Sequence, residues 1–281
     1  MDNIFPDGLF PETREKYELL KQYINRLGSV AVALSGGVDS SLLAKVCHDV
    51  LGDRSIAVTI VSPMLAKGEL DDACKVASRI GICHILLEEK EIGPEVKKNP
   101  ANRCYLCKKI EFGRLIEESQ KYGMVYVLDG SNADDLNDYR PGAKAIKELG
   151  VKSPLQASGF TKREIRELSR VLGLPTSEKS AYACLASRIP YGEEITVEKL
   201  NRIDKSEMYL QSLGFCGLRV RSHENIARIE VAPGQRENFF DTEMMDSISK
   251  QLKLFGFLYV CLELEGYSMG NLNKEITKHE Q

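Results

Sequence analysis

A glycine-rich turn between two apolar stretches is the part of this sequence best suited to chemistry. Apolar residues 29–34 are followed by Ser35–Ser40 (SGGVDS), and apolar residues then return at helical spacing. A strand, a turn and a helix N-terminus together attract anions, because exposed N–H groups and the helix dipole favour negative charge. The pattern predicts a phosphate site, and a capped turn without a ligand is the alternative.

Each residue type in this turn has a chemical use. Gly36 and Gly37 allow the backbone to approach a phosphate closely, while Ser35 and Ser40 offer hydroxyl donors. Asp39 repels a bare phosphate, so its presence indicates either a bound Mg²⁺ or a helix cap. The turn is neither a Walker A loop nor a G-x-G-x-x-G loop.

A second polar segment, residues 128–142 (LDGSNADDLNDYRPG), follows another apolar stretch. Gly130 permits close approach of a ligand, and Asp134 and Asp135 are suited to carry Mg²⁺ or to orient a ribose and a substrate. The alternative is a polar loop built from Asx-turns.

Eight cysteines divide into two groups. Cys47, Cys83 and Cys261 lie in apolar patterns, which predicts core packing because a thiol behaves as a small hydrophobe, and the same is expected of Cys74 and Cys216. Cys104 and Cys107 form a C-x-x-C pair, and Cys184 stands alone in an irregular stretch. Four thiolates usually complete a zinc site or an iron–sulfur cluster. Three thiolates would leave one iron of a [4Fe–4S] cluster open to sulfide. The alternatives are a structural zinc site and a pair of cysteines that is only packed.

The elements that position these residues follow a regular order. Predicted strands 29–34, 55–62, 83–89 and 124–130 alternate with predicted helices 12–27, 40–51, 68–80, 104–122, 143–149 and 161–172. This alternation predicts an α/β fold with a doubly wound parallel sheet. From Thr196 the pattern becomes helix 196–213, strands 216–222 and 226–232, helix 241–254 and strand 257–264, which predicts a smaller α+β domain with an antiparallel component.

The 281 residues exceed the usual size of one core, so two domains are expected. We expect a nucleotide domain over residues 1–178, a linker over 179–195 that carries Cys184, a small α+β domain over 196–270 and a polar tail over 271–281.

The net charge of −3 does not favour a broad nucleic-acid surface, and no stretch approaches the ~20 apolar residues of a membrane span. The acidic, proline-broken N-terminus does not resemble a signal peptide, so a cytoplasmic protein is expected.

The Ser35–Ser40 turn resembles the S-G-G-x-D-S pyrophosphate loop of the N-type ATP pyrophosphatases, the PP-loop superfamily. The resemblance implies that ATP is split to AMP and pyrophosphate and that AMP activates a carboxyl or carbonyl oxygen. It also implies that the end of the second strand, at Ser62, holds adenine with its backbone. The segment around Gly130 resembles the one beside the nucleotide in this superfamily, with Asp39 and Asp134 as Mg²⁺ ligands.

Three further stretches narrow the resemblance: NRCYLCKK (102–109), SAYACLASRIPYGEEIT (180–196) and GLRVRSHENIARIEV (217–231). Together with the loop they resemble the LarE family, ATP-dependent sulfur transferases of nickel-pincer nucleotide cofactor biosynthesis, over residues 12–265. The resemblance implies that a carboxylate of pyridinium biscarboxylic acid mononucleotide is adenylated and becomes a thiocarboxylate. In one version of the family the cysteine at position 184 is sacrificed and becomes dehydroalanine.

The same resemblance implies roles for charged residues near this cysteine. Arg188 is expected to favour the thiolate form of Cys184, and Glu207 and Glu230 to act as a base or to orient the nucleophile. Arg219 and Arg221 alternate along one strand and match phosphate-gripping positions, although solvated surface charge is the alternative. This chain resembles the three-cysteine members, which favours a [4Fe–4S] cluster on Cys104, Cys107 and Cys184 that takes external sulfide over a sacrificial Cys184. A homo-oligomer, trimeric or hexameric, is also implied.

Other functions stay open at this stage. A tRNA thiolase of the same superfamily would carry the same loop and cluster, and the acidic balance counts against it. An ammonia-dependent synthetase similar to NAD or GMP synthetase would give the three cysteines no role. A nucleotide-binding regulatory module would bind ATP without releasing pyrophosphate.

Overall fold

The computed structural model describes residues 9–137, 141–179 and 183–268. The helices are α1 (Pro11–Leu27), α2 (Val38–Leu51), α3 (Lys67–Ile80), α4 (Pro94–Lys97), α5 (Arg103–Lys121), α6 (Pro141–Glu148), α7 (Pro154–Ala157), α8 (Lys162–Val171), α9 (Val197–Ser212) and α10 (Thr242–Leu254). The strands are β1 (Val30–Ala33), β2 (Ser55–Val61), β3 (Cys83–Glu88), β4 (Tyr126–Leu128), β5 (Arg219–His223), β6 (Ile226–Glu230) and β7 (Tyr259–Leu262). The predicted tail 271–281 lies outside the described residues.

The chain divides into two compact units, and each contains two stretches of sequence. The first unit comprises Met1–Lys90 and Cys104–Tyr182, and the second comprises Glu91–Arg103 and Ala183–Gln281. After the stretch Glu91–Arg103, the chain returns to the first unit at Cys104. It returns to the second unit at Ala183, the residue before Cys184.

The first unit contains a four-stranded sheet in the order β3-β2-β1-β4, and every neighbouring pair is parallel. Alternate residues of β1 serve opposite faces, as the two-residue period of a strand requires. Val30 and Val32 pack in a core that includes residues of α1, α2 and α8, whereas Ala31 packs with Phe112 and Leu115 of α5. Helices therefore cover both faces, and the predicted doubly wound parallel sheet is confirmed.

The second unit contains a three-stranded sheet in the order β5-β6-β7. The β5–β6 pair is antiparallel and the β6–β7 pair is parallel, and α9 and α10 accompany these strands. The predicted second, smaller α+β unit with an antiparallel component is thus confirmed.

Three cysteines differ from expectation. Cys47 is fully buried in the core as predicted, but Cys216 is exposed, and so are Cys83 and Cys261. The last two lie on edge strands, β3 and β7, and an edge strand has a neighbour on one side only. An apolar-looking strand sequence therefore does not by itself bury every position.

The helices of the described residues were also compared with the requirements of a bilayer. Within residues 9–137, 141–179 and 183–268, no helix combines the length and the apolar character needed to cross a membrane.

Candidate functional site

The predicted nucleotide residues of the first unit meet at one edge of its sheet. Ser35 and Ser62 follow β1 and β2 closely, and Gly130 follows β4. These three strands are neighbours and parallel, so their carboxyl ends share an edge. Ligands of open α/β sheets bind outside this edge.

The Ser35–Ser40 turn is held in shape by its own hydroxyls. Ser35 donates its backbone N–H to Oγ of Ser40 (3.2 Å), and the hydroxyl of Ser41 donates to the Gly37 carbonyl (2.7 Å). Gly37 is the N-cap of α2, and no described side chain caps this helix. The first N–H groups of a 14-residue helix consequently face an anion-binding position.

Gly36 is required for a steric reason. Its φ is +69°, and a Cβ atom built on it would lie 2.8 Å from both Ala73 N and Glu69 O of α3. Gly130 also lies close to the turn, because its ideal Cβ would lie 3.0 Å from Ser40 N and 3.3 Å from Asp39 Cβ. The turn therefore packs against both α3 and the segment after β4.

A lysine that sequence reasoning missed joins the two expected Mg²⁺ ligands. Lys162, the first residue of α8, donates its ammonium to Oδ2 of Asp39 and its backbone N–H to Oδ2 of Asp134 (2.8 Å). The other oxygen of Asp39, Oδ1, is buried and has no hydrogen-bond partner among the described residues. A buried carboxylate oxygen of this kind fits a divalent cation, which prefers oxygen ligands.

A second missed lysine fastens the turn itself. Lys179 donates to the Gly36 carbonyl (2.9 Å) and forms an ion pair with Asp72 of α3 (2.6 Å), and its side chain is 12% exposed. The only sequence signal near either lysine is the capping box of Thr161 and Glu164 at the start of α8. That signal fixes the helix start but says nothing about a partner 123 residues away.

Asp129 anchors the segment that follows β4. It is buried and accepts hydrogen bonds from the hydroxyls of Ser131 and Ser153. Burial raises its pKa, although both hydroxyls and the positive charge of Lys108 oppose the rise. Lys108 lies on α5, so this electrostatic interaction also relates the α5 segment to the site.

Cys104 and Cys107 lie three residues apart on α5 and thus share one helix face. The ideal Cβ of Gly142 on α6 would lie 3.5 Å from the Cys104 carbonyl oxygen and 3.1 Å from Cγ of Lys108. Within residues 9–137, 141–179 and 183–268, no three Cys, His, Asp or Glu side chains form a group that could hold a metal.

In the second unit, Cys184 is exposed and is the N-cap of a 3₁₀ turn, Leu185–Arg188. Arg188 is fully buried and donates to the carbonyls of Ala183 and Cys184, the latter at 3.0 Å. It also forms a two-pronged ion pair with Glu207, with distances of 2.9 Å and 2.8 Å. The carboxylate of Glu207 accepts the backbone N–H of Val220 (2.9 Å) as well. The cysteine turn is therefore tied to α9 and β5.

The other predicted residues of this unit lie beside that pair. Arg221 binds Oε2 of Glu230 (2.8 Å) and donates to the Ser187 carbonyl (2.9 Å). Arg219 stacks over the ring of Tyr267 at 5.0 Å. Burial, followed by the nearby charge of Arg188, lowers the pKa of Arg219.

The interpretation of Arg219 and Arg221 as solvated surface charge does not hold, because both are nearly buried. Three buried arginines, at 188, 219 and 221, accompany two buried glutamates, at 207 and 230. The guanidinium fork of arginine matches phosphate oxygens, so a cluster of this kind suits an anionic group such as a phosphate.

Removal of the Glu207 carboxylate is expected to destabilise the second unit strongly. Glu207→Ala leaves the Arg188 guanidinium buried without its carboxylate, which costs about 3–5 kcal/mol in such pairs. Urea unfolding followed by circular dichroism measures the loss. Lys205→Ala, an exposed position on the same helix, serves as the matched control. The double variant Arg188→Met/Glu207→Met should recover most of the lost stability. An ordinary substitution costs about 1 kcal/mol, so a Glu207→Ala protein that loses no more than about 1 kcal/mol would contradict the expectation.

Comparison with known proteins shows which proteins this chain is similar to. The NAD synthase family model matches residues 12–104. An uncharacterized protein of Synechocystis is 48% identical over 94% of this chain and 98% of its own length. The pyridinium-3,5-bisthiocarboxylic acid mononucleotide synthase of Lactiplantibacillus plantarum is 38% identical over 90% of this chain and 91% of its own length.

A tRNA-specific 2-thiouridylase of Rickettsia typhi is 28% identical to this chain, over only 54% of its length. The relatives at 48% and 38% identity, by contrast, match the chain across both units. The nucleotide loop, the family match and the whole-length similarity point the same way: the chain belongs to the LarE family of ATP-dependent sulfur transferases, within the PP-loop superfamily.

Proposed function

We propose that this protein adenylates a carboxylate of pyridinium biscarboxylic acid mononucleotide and converts it to a thiocarboxylate for the nickel-pincer nucleotide cofactor. The observation that carries the proposal is the 38% identity with the Lactiplantibacillus synthase, which spans 90% of the chain and so includes both units. The buried arginines around the Cys184 turn support it, because the substrate is an anionic mononucleotide.

In the first step a substrate carboxylate oxygen attacks the α-phosphorus of ATP, and pyrophosphate leaves. The N–H groups of the Ser35–Ser40 turn and the hydroxyls of Ser35 and Ser40 are positioned to bind the pyrophosphate. The backbone around Ser62, at the end of β2, binds adenine. Asp39 and Asp134 would hold Mg²⁺, which supplies positive charge against the phosphate oxygens.

Lys162 has a role in the same step. With its ammonium on Asp39 and its backbone on Asp134, it fixes both carboxylates before a cation arrives. The geometry of a metal site is more precise when its ligands are held in advance by other groups.

In the second step sulfur attacks the acyl carbon, and AMP leaves with the former carboxylate oxygen. If Cys184 is the donor, its Sγ forms a thioester; loss of the Cα proton then breaks the Cβ–Sγ bond and leaves dehydroalanine. If sulfide is the donor, Cys104, Cys107 and Cys184 would hold a [4Fe–4S] cluster. Thiolates are the ligands that such clusters take, and three of them leave one iron open to sulfide.

Arg188 holds the backbone around Cys184 through the carbonyls of Ala183 and Cys184, and a thiolate rather than a thiol is both the nucleophile and the cluster ligand. Glu207 and Glu230 hold Arg188 and Arg221 in place around it. Arg219 and Arg221 grip the substrate phosphate. The proposal also includes a cytoplasmic homo-oligomer, trimeric or hexameric, as the family resemblance implies.

The test is a coupled assay with ATP, Mg²⁺, sulfide and the pyridinium biscarboxylate mononucleotide. Pyrophosphate release should depend on the mononucleotide, and mass spectrometry should show a product in which sulfur replaces oxygen. Release that depends on tRNA would favour a tRNA thiolase, and release that depends on ammonia would favour a synthetase. ATP binding with no release under any condition would favour a regulatory module.

A further inference from the structure

A short stretch of the second unit, Glu91–Arg103, ends at the residue before Cys104. Its role is not explained by the sheet or the helices, because it contains the four-residue α4 and only the first residue of α5, Arg103. Two of its side chains, Asn99 and Arg103, are buried, with exposures of 0% and 4%. Buried polar side chains are retained where they satisfy specific partners, so their partners identify what the stretch does.

Asn99 binds the chain that follows the Cys184 turn. Its side-chain amide nitrogen donates to the carbonyls of Ile189 (3.2 Å) and Pro190 (2.6 Å), and its backbone carbonyl accepts the N–H of Gly192 (2.9 Å). Its φ is +54°, a left-handed conformation that asparagine tolerates better than most residues. The side-chain contacts thus compensate for an unfavourable backbone.

Arg103 binds the turn itself. Its Nη1 donates to Oδ1 of Asn99 (2.5 Å) and to the carbonyl of Ala186 (3.0 Å), two residues after Cys184. Its guanidinium also stacks over the ring of Tyr191 at 5.3 Å. One buried cation therefore joins Asn99 to the 3₁₀ turn that Cys184 caps.

We propose that Asn99 and Arg103 are positioning residues that hold the Cys184 turn for sulfur transfer. The inference rests on the proposed function, since it assigns these residues to the sulfur step and not to adenylation. A nucleophile or ligand has to be fixed relative to its reaction partner, and a displacement of about 1 Å can cost about 100-fold in rate. Within the turn, Arg188 pairs with Glu207 of α9. On the Glu91–Arg103 stretch, Asn99 and Arg103 bond to the backbone of the turn and of the residues that follow it.

The experiment compares sulfur transfer with pyrophosphate release in Asn99→Gly and Arg103→Met. Asn99→Gly removes the amide contacts but keeps a residue that adopts positive φ readily. The ratio of sulfur transfer to pyrophosphate release should fall about 10–100-fold in both variants. Arg103→Lys should restore the ratio in large part, because the contacts with Asn99 and Ala186 use one nitrogen of Arg103, and a lysine ammonium can supply one nitrogen. Lys98→Ala, an adjacent exposed position, should leave the ratio unchanged.

Amide hydrogen exchange supplies a readout that needs no substrate. The N–H groups of Ser187, Ile189 and Gly192 are bonded within this turn and to Asn99, so both variants should exchange them at least about tenfold faster. Amides of α9 should keep their wild-type rates. Faster exchange throughout the second unit, or an unchanged transfer ratio in a folded variant, overturns the positioning role. If the wild type releases no pyrophosphate with the mononucleotide, the proposed function fails, and the exchange pattern alone then decides whether these residues hold the turn.

Discussion

Cys184→Ala is expected to reduce sulfur transfer below detection while pyrophosphate release stays within about threefold of wild type, as for a residue outside the adenylation chemistry. The physical reason is the division of labour between the units. The nucleotide turn and its supporting lysines belong to the first unit, whereas Cys184 caps a turn of the second. Pyrophosphate release and the sulfur content of the product are measured on the same reaction mixture.

Cys216→Ala is the matched control, since Cys216 is also an exposed cysteine of the second unit. The same preparations identify the sulfur source. Anaerobically purified wild type with about four irons per chain, lost in Cys104→Ala, indicates the cluster and turnover on external sulfide. An iron-free protein that loses H₂S from Cys184 after one turnover indicates the sacrificial route. Sulfur transfer by Cys184→Ala at the wild-type rate would rule out both.

Gly36→Ala is expected to lower the free energy of unfolding of the first unit and to stop adenylation. An alanine at φ +69° carries a left-handed penalty of about 1–2 kcal/mol. The new Cβ would also meet two backbone atoms of α3 at 2.8 Å, and forced repacking costs about 1–3 kcal/mol more. We expect a total of about 2–5 kcal/mol and a fall in pyrophosphate release of at least about 100-fold.

Substitution of the neighbouring glycine, Gly37, tests phosphate binding without a large change in the free energy of unfolding. Gly37 has an ordinary φ of −82°, and its ideal Cβ meets only Oγ of Ser35 at 3.4 Å. Gly37→Ala should therefore fold with near wild-type stability, and any loss of ATP affinity would report how closely the phosphate approaches. Gly68→Ala, in the first turn of α3 with open space around it, should change neither property. Equal stability of Gly36→Ala and Gly68→Ala would contradict the steric argument.

The regular elements were predictable because local patterns determine them. The strand, turn and helix around Ser35–Ser40 were indicated by apolar spacing and by two adjacent glycines, and the structure has β1 and α2 there. The same spacing indicated α5 and α9 to within a residue or two. The two-residue and 3.6-residue periods are properties of short windows of sequence, so they can be read without any knowledge of distant contacts.

The supporting contacts were not predictable because their partners are far apart in the sequence. Lys162 meets Asp39 across 123 residues, and Lys179 meets Gly36 across 143. Leu185 and Ala186 are buried in a stretch without any period, because irregular backbone buries side chains at irregular intervals. Glu207 belongs to a helix with an ordinary charged pattern, and that pattern does not indicate that it lies on the buried face of α9 against a buried arginine.

The interleaved sequence of the two units has a consequence for the order of folding during synthesis. Asn99 bonds to Pro190, 91 residues later in the chain, so the Glu91–Arg103 stretch leaves the ribosome long before its partners. At about 5–20 residues per second, that interval is roughly 5–20 s. The first unit also needs residues on both sides of the stretch, and its contact between Lys179 and Gly36 spans 143 residues. In the nascent chain Asn99 and Arg103 therefore stay hydrated for seconds, and they become buried only after the Cys184 turn and the residues up to Gly192 have been made.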